Sequence, residues 1–213
     1  GLDPMPVGVN FPNVMQRVQD IVKTIEPHDS VERFTGLGVD CVSGDARIVS
    51  PWAVEVNGQT LTARSIVIAS GARPRVPDIP GLAAINYLTS DTVWELAELP
   101  EHLLVLGAGP IGCELAQAFA ELGSRITLVT HADRIMPRED PEVAALVHDA
   151  LEQRQVKIFQ HCEPCSFNSD ESGQRVAVTT PDGEQTISFT HVLLAVGRSA
   201  NVEGMGLEEL GIA

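Results

Sequence analysis

Apolar residues keep a helical period near the start of the chain, then turn to short alternating runs. From Leu103 onward they settle into a strand–helix–strand rhythm. Val14, Val18, Ile21, Val22 and Ile25 recur at three- and four-residue steps, which places them on one face of a helix. Pro27 ends that helix. Ser30 is positioned to cap a short second helix, with Arg33 where a capping box would carry Glu, and Gly36 and Gly38 close it. Residues 46–49 and 52–56 then read as short strands, and Asn57-Gly58 is a two-residue hairpin turn signal. Residues 65–69 form an unbroken apolar run ending at Ser70-Gly71, which predicts a strand buried on both faces. Pro74, Pro77 and Pro80 follow. Proline fixes φ and lacks a donor, so residues 73–81 predict an extended connector with a domain boundary near it.

The later rhythm is more regular. Residues 103–106 predict a strand, 111–122 a helix rich in Ala and Leu, 126–129 a second strand and 156–159 a third. Between the last two, residues 141–153 predict a helix with Asp140 as N-cap and Pro141 at its first position. This alternation implies right-handed crossovers on a parallel sheet. Residues 175–180 and 185–188, joined by Asp182-Gly183, predict an antiparallel meander, and residues 192–196 return as an apolar strand ending at Gly197. No short-period repeat or low-complexity tract interrupts the chain.

Composition narrows the function classes. With 213 residues, 44% of them hydrophobic, the chain can bury one or two cores. Its formal net charge of −15 argues against nucleic-acid binding, which needs clustered Lys and Arg. An anionic membrane surface would repel it as well. No apolar run approaches the ~20 residues that span a bilayer, and residues 1–10 lack the basic-then-apolar order of a secretory signal. The abrupt start, with Pro4 and Pro6, suggests a piece cut from a longer chain. Cys41, Cys113, Cys162 and Cys165 are too sparse for a disulfide scaffold and fit a reducing, cytoplasmic setting.

The candidate chemistry lies at Gly107-Ala108-Gly109-Pro110-Ile111-Gly112, a G-x-G-x-x-G loop between a buried-type strand and a helix. Gly107 permits the tight turn, Gly109 leaves room for a pyrophosphate, and Gly112 lets the helix pack close to the strand. Pro110 and Ile111 open the helix, whose free N–H groups and partial positive charge suit the phosphates of NAD or NADP. A carboxylate is expected about 20 residues on, at the tip of the second strand, where it would bond the ribose hydroxyls. This strand instead ends Leu128-Val129-Thr130-His131, followed by Arg134. His131 and Arg134 could each face a 2′-phosphate, which favours NADP over NAD, although Asp133 weakens the cationic character.

Other signals have plain structural readings. Cys162-Glu163-Pro164-Cys165, next to His161, has redox or zinc spacing but lies at an expected strand start without a second cysteine pair. Cys113 and Cys41 read as packing residues. His148 reads as a solvated helix residue, and Glu208 and Glu209 as a helix start. No catalytic or metal-ligating set is assigned within the chain.

Several segments together resemble the pyridine nucleotide–disulfide oxidoreductases, the flavoproteins that include dihydrolipoamide dehydrogenase, glutathione reductase and mercuric reductase. The first is Thr62-Ala63-Arg64-Ser65-Ile66-Val67-Ile68-Ala69-Ser70-Gly71 with Arg73-Pro74. The second is the glycine loop continuing into Cys113-Glu114-Leu115-Ala116. The third is Leu194-Ala195-Val196-Gly197-Arg198 with Asn201. The run Arg138-Glu139-Asp140-Pro141 leans towards the mercuric-reductase-like branch. The resemblance implies an α/β fold: a Rossmann-like NAD(P)-binding domain, with a parallel sheet and an antiparallel β-meander, over residues 86–213, plus part of an FAD-binding domain over residues 1–85. It also implies that Gly107, Gly109 and Gly112 hold the NAD(P) pyrophosphate. Glu114 would lie near nicotinamide and flavin, Gly197 near the nicotinamide, and Ser70 and Gly71 against FAD.

The family's FAD glycine loop and C-x-x-x-x-C pair are not found in this sequence, and its later Gly-Asp and dimerisation domain are not reached. The chain is therefore expected to be an internal piece of a homodimeric enzyme that alone binds FAD poorly and does not turn over. Its partners would be small-molecule nucleotides. A non-catalytic, stand-alone NAD(P)-binding module is the competing reading. A dehydrogenase with its own proton-transfer pair ranks last, because Tyr87, the only tyrosine, is expected outside the nucleotide-binding fold.

Overall fold

The computed structural model describes residues 8–171 and 173–212. In chain order the longer elements are α1 (Phe11–Ile25), α2 (Val31–Gly36), β1 (Arg47–Ser50), β2 (Ala53–Val56), β3 (Gln59–Thr62), β4 (Ala72–Pro74), β5 (Tyr87–Thr89) and β6 (His102–Leu106). They continue with α3 (Pro110–Leu122), β7 (Arg125–Val129), α4 (Pro141–Gln153), β8 (Lys157–Phe159), β9 (Glu163–Asp170), β10 (Gly173–Thr180), β11 (Gly183–Phe189), β12 (His191–Leu194) and β13 (Arg198–Ala200). They gather into two compact units. One takes the chain up to Gln19 and then Pro74–Arg198; the other takes Asp20–Arg73 and the chain from Ser199 onward.

The first unit is built on a five-stranded sheet in the order β5-β12-β6-β7-β8, with every neighbouring pair parallel. Alternation along β6 explains its layers. Leu103 and Val105 point to one face, where they join Cys113, Ala116 and Phe119 of α3 and Leu151 of α4. Leu104 and Leu106 point to the other face, where they meet Phe167, Val176, Val178, Ile187 and Phe189 of the antiparallel sheet β11-β10-β9. A strand covered on both faces needs apolar residues at every position, and all of β6 is buried.

Local chemistry sets the helix ends. Pro110 opens α3, and Gly123, at φ 109, closes it. The Asp140 carboxylate accepts from the Glu142 N–H at 2.9 Å, which caps α4 as expected. Tyr87 belongs to this sheet, in its edge strand β5, and not outside the nucleotide-type fold as expected.

The second unit holds the antiparallel sheet β1-β2-β3 and α2, whose Ser30 hydroxyl accepts from the Arg33 N–H at 3.2 Å. The apolar run at 65–69 is not the doubly buried strand expected. It forms no strand, and Val67 is 86% exposed. Such a strand needs flanking strands to take its N–H and C=O groups and layers to cover it. Among the described residues no strand lies alongside it. Likewise α1 follows its helical period, but Ile21, Val22 and Ile25 are exposed.

Candidate functional site

Strand β6 ends at Leu106, and the chain turns sharply through Gly107 at φ 98 before entering α3. The three loop glycines sit in different surroundings. A Cβ on Gly107 would lie 2.4 Å from the Ala195 carbonyl oxygen, and one on Gly112 would lie 2.0 Å from the Gly107 carbonyl oxygen. A Cβ on Gly109 would meet nothing within 4 Å. Gly109 therefore faces open space at the mouth of α3. No side chain caps that helix, so its first-turn donors and the positive end of its dipole face the same space.

That space is a groove of about 830 Å³ at the C-terminal ends of the parallel strands. Its floor is Leu106, Val129 and Leu194, and its walls carry Gly107, Ala108, Gly109, Pro110 and Ile111 on one side and Ala195, Val196 and Gly197 on another. Thr130, His131, Ala132, Met136, Pro137, Arg138 and Glu139 form a further wall. The chain as a whole is strongly acidic, yet the lining carries Arg75, Arg138 and Arg198, the last paired with Asp91, against Glu139 and Glu163. Ligands bind beyond the carboxyl ends of strands in open α/β sheets, and this groove has that location and a cationic bias suited to an anion.

Most of the sequence-predicted residues meet here: Gly107, Gly109, Pro110, Ile111, Thr130, His131 and Gly197 all line the groove, and Gly112 is buried beneath it. Thr130 is itself buried, and its hydroxyl accepts from the Ala132 N–H at 3.2 Å. Arg134 and Glu114 are not among the lining residues. Arg134 turns back on its own loop, with Nη2 donating to the carbonyls of Pro137 at 2.9 Å and Glu139 at 3.0 Å. Glu114 is exposed on α3. Ser70 and Gly71 belong to the second unit, where the Asn201 side chain donates to the Ser70 carbonyl at 3.0 Å and the Asn201 N–H donates to the Gly71 carbonyl at 3.0 Å. Beside them Arg73 pairs with Glu203 through both guanidinium nitrogens, which holds the Glu203 carboxyl down at about 2.

The sequence model of one family, described as pyridine nucleotide-disulphide oxidoreductase, matches residues 7–213. The chain belongs to that family. Among curated relatives, mercuric reductase from Streptomyces lividans is 34% identical over 217 residues, a match covering 100% of this chain and 46% of that protein. Dihydrolipoyl dehydrogenase from Zymomonas mobilis is 33% identical, covering 93% of this chain and 42% of that one. Among solved structures, the HOCl-induced flavoprotein disulfide reductase RclA from Escherichia coli superposes with a TM-score of 0.79 at 28% identity, covering 97% of this chain and 47% of that one. The chain thus spans under half the length of these relatives.

In this family member the groove also takes residues whose place the motifs do not reveal. Arg138 reads in the sequence only as part of the Arg138–Pro141 run. Arg75 and Arg198 frame the Gly197 end: the Arg75 N–H donates to the Gly197 carbonyl at 3.0 Å, and Arg198 bonds the Ser90 hydroxyl at 2.9 Å and the Asp91 carboxylate at 3.1 Å. The Leu194–Arg198 motif had drawn attention to this loop, but no sequence spacing links Arg198 to Ser90. The four cysteines are free thiols. Burial, with Glu114 nearby, pushes the Cys113 thiol up to about 11, and burial also raises Cys162. A thiol so disfavoured as thiolate is a packing group and a poor nucleophile. Cys165, three residues on, is exposed and bonds the Thr179 hydroxyl at 3.0 Å. The one grouping with metal-ligand spacing among the described residues, His148, Asp149 and Glu152, lies on α4 with both acids exposed.

Proposed function

We propose that the groove binds NAD(P)H, and that this chain serves as the nucleotide-binding part of an FAD-dependent oxidoreductase. The observation that carries this reading is the contrast among the glycines. Gly107 and Gly112 are crowded by backbone, while Gly109 opens onto the groove at an uncapped helix mouth. A diphosphate needs a wall of backbone N–H groups without a side chain in front of it, and the residues present fit that need. Gly107, Gly109 and Ile111 would hold the pyrophosphate, and Val196 and Gly197 would line the nicotinamide end. Bound there, the reduced nicotinamide supplies a hydride and FAD, in the complete protein, receives it.

This chain's own residues bind and orient. Residues 86–213 act as the NAD(P)-binding domain and residues 1–85 as part of an FAD-binding domain, with Ser70 and Gly71 against FAD and Glu114 near the flavin–nicotinamide contact. The complete enzyme is a homodimer in a reducing, cytoplasmic compartment. Among the described residues no helix is long and apolar enough to cross a membrane. At the ribose end, His131 and Arg138 line the groove with no carboxylate at the strand tip, which favours a 2′-phosphate and hence NADPH.

The test is titration of the purified chain with NADPH and NADH, followed by nicotinamide fluorescence. Binding of both with NADPH tighter is the expected result. Tighter NADH binding overturns the NADP preference, and no binding of either removes the reading altogether. In the second case the chain's likeness to flavoenzymes would be one of fold without the cofactor. The competing module reading, a nucleotide binder with no flavin partner, is tested by adding FAD to the longest native reading frame: retention of yellow flavin excludes it.

A further inference from the structure

The loop between β7 and α4 is fastened at several points. The His161 N–H donates to the Ala132 carbonyl at 3.0 Å. Ile135 is 1% exposed and packs in the helix-side core. Met136 adopts φ 45, a conformation unusual for a side-chain-bearing residue, and its N–H donates to the Ala108 carbonyl at 2.7 Å. That bond ties the loop to the glycine turn itself. Arg134 Nη2 bonds the carbonyls of Pro137 and Glu139, which lie on either side of Arg138, while Arg134 Nη1 is buried without a hydrogen-bond partner. Met136, Pro137, Arg138 and Glu139 all line the groove, and Arg134 does not.

We propose that Arg134 is a positioning residue for the nucleotide groove: it folds the Met136–Glu139 segment over the glycine turn and so presents Arg138, without touching the ligand. This rests on the groove being a nucleotide site. The physical reason is preorganisation. Residues whose backbone carbonyls are held by a charged donor keep one conformation, so less ordering remains to be done when the ligand arrives. The unusual φ at Met136 supports the same view, because such a conformation persists only where surrounding contacts impose it.

The experiment compares NADPH and NADH affinities for the unaltered chain and for Arg134→Gln, Arg134→Lys and Arg138→Gln, together with hydrogen exchange at the Met136 amide. Arg134→Gln should weaken both nucleotides, NADPH more than NADH and by about tenfold, because Arg138 is no longer held in place, and should speed Met136 exchange. Arg134→Lys should recover part of both effects, because a single nitrogen makes both carbonyl bonds. Arg138→Gln should lower the NADPH:NADH preference while Met136 exchange stays slow. If Arg134→Gln weakens NADPH alone while Met136 exchange stays slow, Arg134 acts on the phosphate directly and the proposal falls. It also falls if neither nucleotide affinity nor Met136 exchange moves. If the unaltered chain binds neither nucleotide, the nucleotide reading fails by itself. The loop-positioning role is then decided by the exchange data, and unchanged protection in Arg134→Gln overturns it.

Discussion

Gly109 has φ −75 and ψ −177, backbone that any residue adopts, so the fold makes no demand for glycine there, and the proposed nucleotide is what would need it. Gly112 is the opposite case, since a Cβ there would meet the Gly107 carbonyl oxygen at 2.0 Å. Gly109→Val should therefore lower stability only by what a poorer helix cap costs, about 1 kcal/mol. It should weaken NADPH and NADH by about tenfold or more, because a branched side chain replaces the backbone surface that the pyrophosphate approaches. Gly112→Ala should lose about 1–3 kcal/mol of stability through overpacking. Thermal melts beside fluorescence titrations separate the two, and a Gly109→Val chain that binds normally would move the pyrophosphate elsewhere. At this scale the demand for glycine at positions 107 and 112 is legible in the sequence, because a tight turn and close helix–strand packing are local demands of the loop. That Arg138 lines the groove while Arg134 folds back on its loop is not. Both follow the same strand, and no period tells which side chain of a loop faces the groove and which folds back onto carbonyls.

Elements with strong local patterns lie where the sequence predicts them: the largely apolar β6 and β7, α3 between Pro110 and Gly123, and α4 behind Asp140. The strands β3 and β5 do not stand out in the sequence, since Gln59–Thr62 holds a single apolar residue and Tyr87–Thr89 is 3 residues long. The run at 65–69 was overread for the matching reason: apolar sequence gives burial only where partners exist to cover it. The first residue of β6 offers a test of how such an element is held. His102 is buried, and its Nε2 lies 2.9 Å from the Thr127 hydroxyl. Burial, then the nearby Arg125 charge, lowers its pKa from the usual 6.5. The unfolded chain thus takes up the proton more readily than the folded one. This contribution to stability is fully present above about 6.5, declines as pH falls below it, and is lost once pH passes the lowered folded value. His102→Gln should make the denaturation midpoint less sensitive to pH across that acid range. His191, also lowered by burial, leaves a residual slope. Urea midpoints taken between pH 8 and pH 5 measure this, and an unchanged slope in the variant would show that His102 is not the titrating group.

Across the whole molecule, buried apolar side chains are unevenly shared. In the unit made of Asp20–Arg73 and the chain after Ser199, the buried hydrophobic residues among those described are Ile48, Val56 and Leu207. Each contributes about 1.5–3 kcal/mol, against about 1–2 kcal/mol for fixing each residue's backbone. Its ion pairs, Arg47–Glu209 and Arg73–Glu203, are more than half exposed, and exposed pairs add little. The other unit carries both large apolar clusters. Local opening should therefore begin in the first of these, because opening free energy follows buried contact density. Under limited trypsin digestion the earliest cuts are expected at Lys23, Arg33, Arg47 and Arg64. Sites inside the parallel sheet, such as Arg125, should be spared much longer. Because every groove-lining residue falls between Pro74 and Arg198, the clipped material should still bind NADPH with nearly the starting affinity. Mass spectrometry of the first fragments, followed by titration of the digest, tests both parts. Early cleavage at Arg125 would mean that the sheet is not the stable element. Loss of NADPH binding on clipping before Pro74 would mean that the groove alone does not make the site.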